Sequence, residues 1–423
     1  MDTRTRWLPV LIMAGLGLTD CGGDGGGAPE VVSPTGPGTV PDDMESTDGS
    51  DVSDPASPPD IEPPTDPELP AAPLAFGVPI GTQPGFDGAP FTASDFPTDQ
   101  MLPVVPRDAI PAITDPGMST SLPLYLQEDD LVFGVVINGE ARAYPHNIGW
   151  RHEIVNDVVG GHPVCVTFCP LTGTGLVFDG ERPDGSRLSL GVSGLLYNTN
   201  LVMYDRADGQ TLYPQIYGAG VNSEVDQALD LLPVVETTWS SWKRLYPESL
   251  VQSEAPFDLS AYLNYPYGEY RSRDFFFLFP ISPTLGANSN LYSLSYGAKD
   301  RVLGLRIDSE TLAFPFSEMG ERAVINETVV GSDVLVAYDA DSHLAIPYSR
   351  QVDDLILTFD LADAEDLFPF GLRDQETGTL WDIKGLGIEG ELAGQQLRQI
   401  PAHNAMWFAW VTFWPDTEVW APN

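Results

Sequence analysis

The chain has 423 residues, and 61 acidic against 20 basic side chains give it a formal net charge of −41. A surface of that sign repels nucleic-acid phosphates and anionic lipid head groups, which excludes DNA or RNA as a partner. The aliphatic and aromatic content over this length is enough to bury two substantial cores.

At the N-terminus, Arg4 and Arg6 precede an apolar run from Trp7 to Leu18, and Cys21 follows. A charged start, a short apolar run and a cysteine form the layout of a secretory signal peptide, here of lipoprotein type. The run is shorter than the roughly 20 apolar residues a membrane-spanning helix needs. Leu18 and Cys21 stand where a lipoprotein signal has them, while Asp20 departs from the small neutral residue usual before the lipidated cysteine. Residues 1–21 are therefore expected to be a leader with Cys21 as the lipidation site. The membrane, reached through that lipid, is an expected partner, and the protein is expected to be exported and held in the cell envelope on a periplasmic or cell-surface face. Residues 22–74 are dominated by Gly, Pro, Ser, Thr and acidic residues, with twelve of the latter and no Lys or Arg. Such a segment cannot bury enough apolar surface to order itself and reads as a disordered tether. Leader and tether together carry fourteen acidic and two basic residues, so the remainder keeps a formal charge of −29.

The first folded region spans residues 75–255. Leu131 to Ile137 alternates, Asn138-Gly139 supplies the positive φ values of a tight turn, and Glu140 to Tyr144 returns as a hairpin. Val164–Phe168, Gly175–Phe178, Arg187–Val192, Leu201–Tyr204 and Thr211–Tyr213 read as further short strands between Gly, Asp and Pro clusters. Asn156 is expected in a turn, and Asp205 to Gly209 also reads as a turn, lacking the spacing of a calcium loop. Thr237 or Thr238 caps a short helix that carries Trp239, Trp242 and Leu245 on one face and stops at Pro247.

Cysteines 165 and 169 share one strand, four residues and roughly 13 Å apart at about 3.4 Å per residue, too far for a disulfide, which needs Cα atoms within about 7 Å. Cys165 lies between apolar residues and reads as core. Cys169 ends its strand directly before Pro170-Leu171-Thr172-Gly173, and His152 lies upstream where the chain can fold back toward it. A neighbouring imidazole lowers a thiol pKa and makes a nucleophile, with His152 as base. The same pair is also a ligand set for a soft transition metal such as copper. His146 and His162 lack the regular spacing of a zinc motif and read as solvated loop residues. In the glycine-led loop from Ser193 to Asn200, Tyr197, Asn198 and Asn200 offer a phenol and two amides to a polar ligand.

Residues 256–284 carry many aromatics and read as an ordered bridge. Residues 285–423 then repeat the first region. VFGVVINGEARAYP (Val132 to Pro145) falls without a gap on VLGLRIDSETLAFP (Val302 to Pro315), and Trp239 and Trp242 fall on Trp407 and Trp410. The matching helix is expected from about Ala402 to Trp414. The fold class implied is α+β, predominantly antiparallel β, as two tandem related β-rich domains each closed by a short C-terminal helix. His152 and Cys169 stand opposite Arg322 and Asp339, so chemistry confined to one copy is expected in the first.

HEIVNDVVGGHPVCVTFCPLTGTGLVF and SGLLYNTNLVMYDRADGQTLYPQ are similar to the hallmark stretches of a bacterial and archaeal family, domain of unknown function 3179. The resemblance covers nearly the whole chain after Ala75. It implies an exported, anchored protein and supplies no reaction. Some relatives read C-P-L-C where this chain has Cys169-Pro170-Leu171-Thr172, which argues against a two-cysteine redox exchange here. Three readings stay open: a metal-binding protein or metal-dependent oxidoreductase using Cys169 and His152, a thiol enzyme on the same pair, and a non-catalytic binding or assembly domain. The first is favoured, because an exported thiol beside histidine suits a soft metal and no third member of a nucleophilic triad is evident.

Overall fold

Asn138 and Gly139 take φ values of 49° and 79°, and turn Leu131–Ile137 back onto Glu140–Pro145 with Val132 opposite Pro145. Asp308, at φ 51°, turns Arg301–Ile307 onto Glu310–Pro315 with Val302 opposite Pro315, the same register. The computed structural model describes residues 92–222, 228–253, 255–279, 281 and 296–422. The leader, Cys21, the tether and the join between the bridge and the second region lie outside the described residues.

The described chain is mostly sheet, and its strands pair largely antiparallel. The first hairpin is flanked by Val235–Thr238 on one side and by Leu250–Gln252, parallel, on the other. The second is flanked in the same way by Ala402–Met406 and, parallel, by Glu418–Val419. A second sheet in the first half runs Thr174–Asp179, His162–Cys169, Ile154–Val159, and in the second half Arg322–Val329, Ser332–Asp339 and Leu344–Ser349 form a three-stranded sheet.

Three α-helices occur among the described residues: α1 (His146–His152), α2 (Trp239–Leu245) and α3 (Trp407–Phe413). The Thr238 hydroxyl accepts from Ser241 N at 3.2 Å and caps α2 as its sequence predicts. Helix α3 is shorter than its sequence implies, because Ala402–Met406 is extended and pairs with Arg301–Ile307. Neither the pattern nor any capping side chain announces α1. Seven residues are too few to hold a helix by propensity, so tertiary contacts must hold it; Ile148 and His152 are buried, and a Cβ on Gly149 would come within 2.5 Å of Phe168.

Asn156 lies in a strand opposite Cys165, and the turn falls at Gly160-Gly161 instead. Its side-chain amide grips one residue of the next sheet from both sides, accepting from Leu190 N at 2.8 Å and donating to Leu190 O at 2.9 Å. Asn326 grips Phe359 N and O in the same way, at 2.9 and 2.8 Å. An amide can mimic a strand edge, and this use is invisible in a local pattern.

The tryptophans repeat too. A Cβ on Gly134 would lie 2.1 Å from the Trp242 ring, and one on Gly304 would lie 2.1 Å from the Trp410 ring. Trp242 Nε1 donates to Ser249 Oγ at 2.7 Å and Trp410 Nε1 to Thr417 Oγ1 at 2.9 Å. The halves also share their cores: Phe178 and Tyr217 pack with Trp410 and Trp414, while Phe133 and Trp242 pack with Leu335 and Ile346. Each half contacts the start of the other's closing helix. Met406 N donates to Thr172 O at 2.9 Å, and Thr238 N to Ser342 O at 3.3 Å. Arg301 adds a tie of its own, bonding Gly173 O at 2.6 Å and both Glu236 oxygens at 2.7 and 2.8 Å.

Candidate functional site around Cys169

Cys169 ends its strand paired with Thr174, and the chain between them closes a tight turn in which Gly173 N donates to Cys169 O at 2.9 Å. The thiol is fully buried, with Sγ 3.7 Å from Thr199 O. Burial pushes it up to about 11, and the Glu153 carboxyl adds to the rise, so at neutral pH it is a thiol and not a thiolate. Cys165, pushed up by burial to about 12, sits 3.3 Å from Asn156 Oδ1, and both cysteines are free.

His152 is fully buried, and both ring nitrogens are engaged, Nδ1 with Pro111 O at 2.7 Å and Nε2 with Tyr262 Oη at 2.8 Å. A carbonyl can only accept, so Nδ1 carries a proton, while Nε2 pairs with the tyrosine hydroxyl. That hydroxyl in turn accepts from Phe257 N at 2.9 Å. Imidazole and thiol are thus directed at different partners. His146 is no solvated loop residue: it starts α1, is buried, and stacks on Phe133 with ring centroids 4.3 Å apart. His162 bonds Asp179 Oδ1 at 2.8 Å. Among the described residues no group of three or more His, Cys, Asp or Glu is arranged to hold a metal ion.

Tyr197, Asn198 and Asn200 form the hairpin between Leu190–Tyr197 and Asn200–Asp205, and all three are buried. Tyr197 packs against Phe96 and Phe413. The Asn198 amide reaches Thr412 O at 3.4 Å. Asn200 donates to Thr172 Oγ1, Thr174 Oγ1 and Gln215 Oε1 at 3.0, 3.1 and 2.8 Å, and Gln215 Nε2 donates to Thr167 Oγ1 at 2.9 Å. The network is interior and saturated by protein groups, which makes it a rigid support beneath the Cys169 turn.

Sequence reasoning missed Glu153. It caps α1 with φ 56° and is buried. Burial alone pushes its carboxyl up to about 8. The signal was present, since Glu153 aligns with Ala323 and is lost in the second half along with His152 and Cys169. The bridge supplies a roof. Tyr265 Oη donates to Pro170 O at 2.9 Å, and burial with the added influence of Cys169 raises Tyr265, Tyr267 and Tyr270 above their usual range. Beside Tyr270, Lys299 Nζ makes no hydrogen bond and lies 3.5, 4.3 and 4.4 Å from the ring centroids of Tyr270, Phe277 and Phe408. Burial pushes this ammonium down to about 7, while three ring faces favour the cation and oppose that fall.

The aligned place in the second half is open. Arg322 Nε bonds Asp339 Oδ1 at 2.9 Å, and these two line a cleft of about 840 Å³ with Ser240, Arg244, Ser342 and the loop from Ala362 to Phe370.

A family model described as "Protein of unknown function (DUF3179)" matches residues 107–417. No curated protein and no solved structure matches the chain.

Proposed function

The chain belongs to the DUF3179 family of proteins of unknown function, and from that premise we propose that it is an exported, lipid-anchored binding or assembly domain of the cell envelope without a catalytic centre at Cys169. The observation that carries this reading is that Cys169 and His152 are each 0% exposed and bonded to protein groups. The metal and thiol-enzyme readings both need His152 to surrender a hydrogen bond and Cys169 to lose its proton where burial opposes it. A binding role needs neither. The matched registers, the paired Gly–Trp contacts and the paired Asn clamps support a further part of the proposal, that the fold arose by tandem duplication of one β-rich unit closed by a helix.

No helix among the described residues is long and apolar enough to cross a membrane. The anchor proposed is Cys21, on the layout of Arg4, Arg6 and the apolar run before it, and a palmitate analogue should label the wild type and not Cys21→Ala. The binding reading is tested by thiol access: an alkylating probe should leave Cys169 unmodified in the native protein and modify it after unfolding. Rapid stoichiometric labelling of native Cys169, or copper retained by the wild type and lost in Cys169→Ser, would overturn it.

A further inference from the structure

The two aligned strand ends have matching walls, and only one is filled. In the first half the bridge crosses them: Tyr262 Oη bonds His152, Tyr265 Oη bonds Pro170 O, Thr199 Oγ1 donates to Phe279 O at 3.4 Å, and Phe277 packs on Phe408 with centroids 5.0 Å apart. In the second half, Arg322 stands for His152, the turn after Asp339 for the turn after Cys169, and Ser240 for Phe408. The loop from Ala362 to Phe370 stands for the Asn198-Thr199 turn. These same residues line the cleft of about 840 Å³. A volume of that order holds a sizeable ligand. The first half shows what kind of object such walls accommodate, a length of polypeptide folded into turns and short 3-10 helices, Leu259–Ala261 and Tyr270–Ser272.

The charges select its chemistry. Asp339 is matched by Arg322 and by Ser342 N at 3.0 Å, and Arg244 lies 3.6 Å from the Phe368 ring centroid. Asp341, Asp363 and Glu365 also line the cleft and form no ion pair among the described residues, so the lining keeps an excess of negative charge. We infer that the cleft receives a basic segment of a partner protein, seated as the bridge is seated in the first half. This rests on the binding role and the duplication proposed above. Complementary charge steers such a segment in and makes its binding salt-dependent.

The experiment uses the full chain and a fluorescent nine-residue peptide alternating lysine and tyrosine, with affinity read by anisotropy. The triple variant Asp341→Asn, Asp363→Asn, Glu365→Gln should weaken binding at least about tenfold. A control removing the same charge elsewhere, Asp353→Asn, Asp354→Asn, Glu391→Gln, should change it by less than about threefold, because distant exposed charges are screened. Equal losses would reduce the effect to general attraction by an acidic protein and overturn the inference, as would no binding to the wild type. The thiol-access experiment is independent of this one, so either reading can fall alone.

Discussion

Glu153 makes the stability of this fold depend on pH in a direction opposite to that of a salt-bridged carboxylate. Burial raises it from an ordinary 4.5 to about 8, so between those values the folded protein keeps a proton that the unfolded chain has lost. Unfolding then releases a proton, and stability falls as pH rises, by about 1.4 kcal/mol per unit. Across the whole window the loss is about 5 kcal/mol, large against a typical 5–15 kcal/mol total. Below 4.5 the group contributes no slope, and above 8 the loss is complete. Glu153→Gln keeps the shape and removes the proton. Urea unfolding followed by tryptophan fluorescence at pH 5 to 9 should show the variant gaining on the wild type steadily up to about pH 8. Other titrating groups cancel in that difference, and Cys169, pushed up to about 11, stays protonated throughout. Parallel profiles for the two proteins would refute the reasoning, because they would mean that the carboxyl is already ionised when folded.

The paired Gly–Trp contacts predict that Gly134→Ala and Gly304→Ala each destabilise by about 1–3 kcal/mol through overpacking, to similar extents in thermal melts; tolerance of one alone would show that the two tryptophans are not packed alike. Arg301→Met leaves the buried Glu236 carboxylate without the guanidinium nitrogen, Nη2, that bonds both its oxygens, and should cost about 3 kcal/mol. Adding Glu236→Gln should recover part of that cost, and a double variant worse than Arg301→Met would contradict the pairing. Asn156→Ala strands both Leu190 N and Leu190 O in the interior and should cost about 2–4 kcal/mol in denaturant unfolding. A change under about 0.5 kcal/mol would show that the clamp carries no stability.

The sequence by itself determined the local structure that short-range chemistry dictates. Asn138, Gly139 and Asp308 turn because their backbones tolerate positive φ, strands alternate because one face of each is buried, and Thr238 caps α2 because its hydroxyl reaches Ser241 N. The alternation that stops at Pro170 also places the strand end at Cys169, and the alignment of Glu153 with Ala323 carries the signal of a carboxyl confined to the first half. What only the tertiary structure decided depends on groups far apart in the chain. Helix α1 has no helical pattern and is held by Phe168, in another strand. Ala402–Met406 becomes a strand because Arg301–Ile307 offers it an edge. His152 is claimed by Pro111 and Tyr262, at separations of 41 and 110 residues, and Cys169 is roofed by Tyr265 and the rest of the bridge. A residue's type states what it can bond, whereas burial and the partners brought by the rest of the chain decide what it does bond, and the reactivity of a histidine or a thiol is set by that second choice.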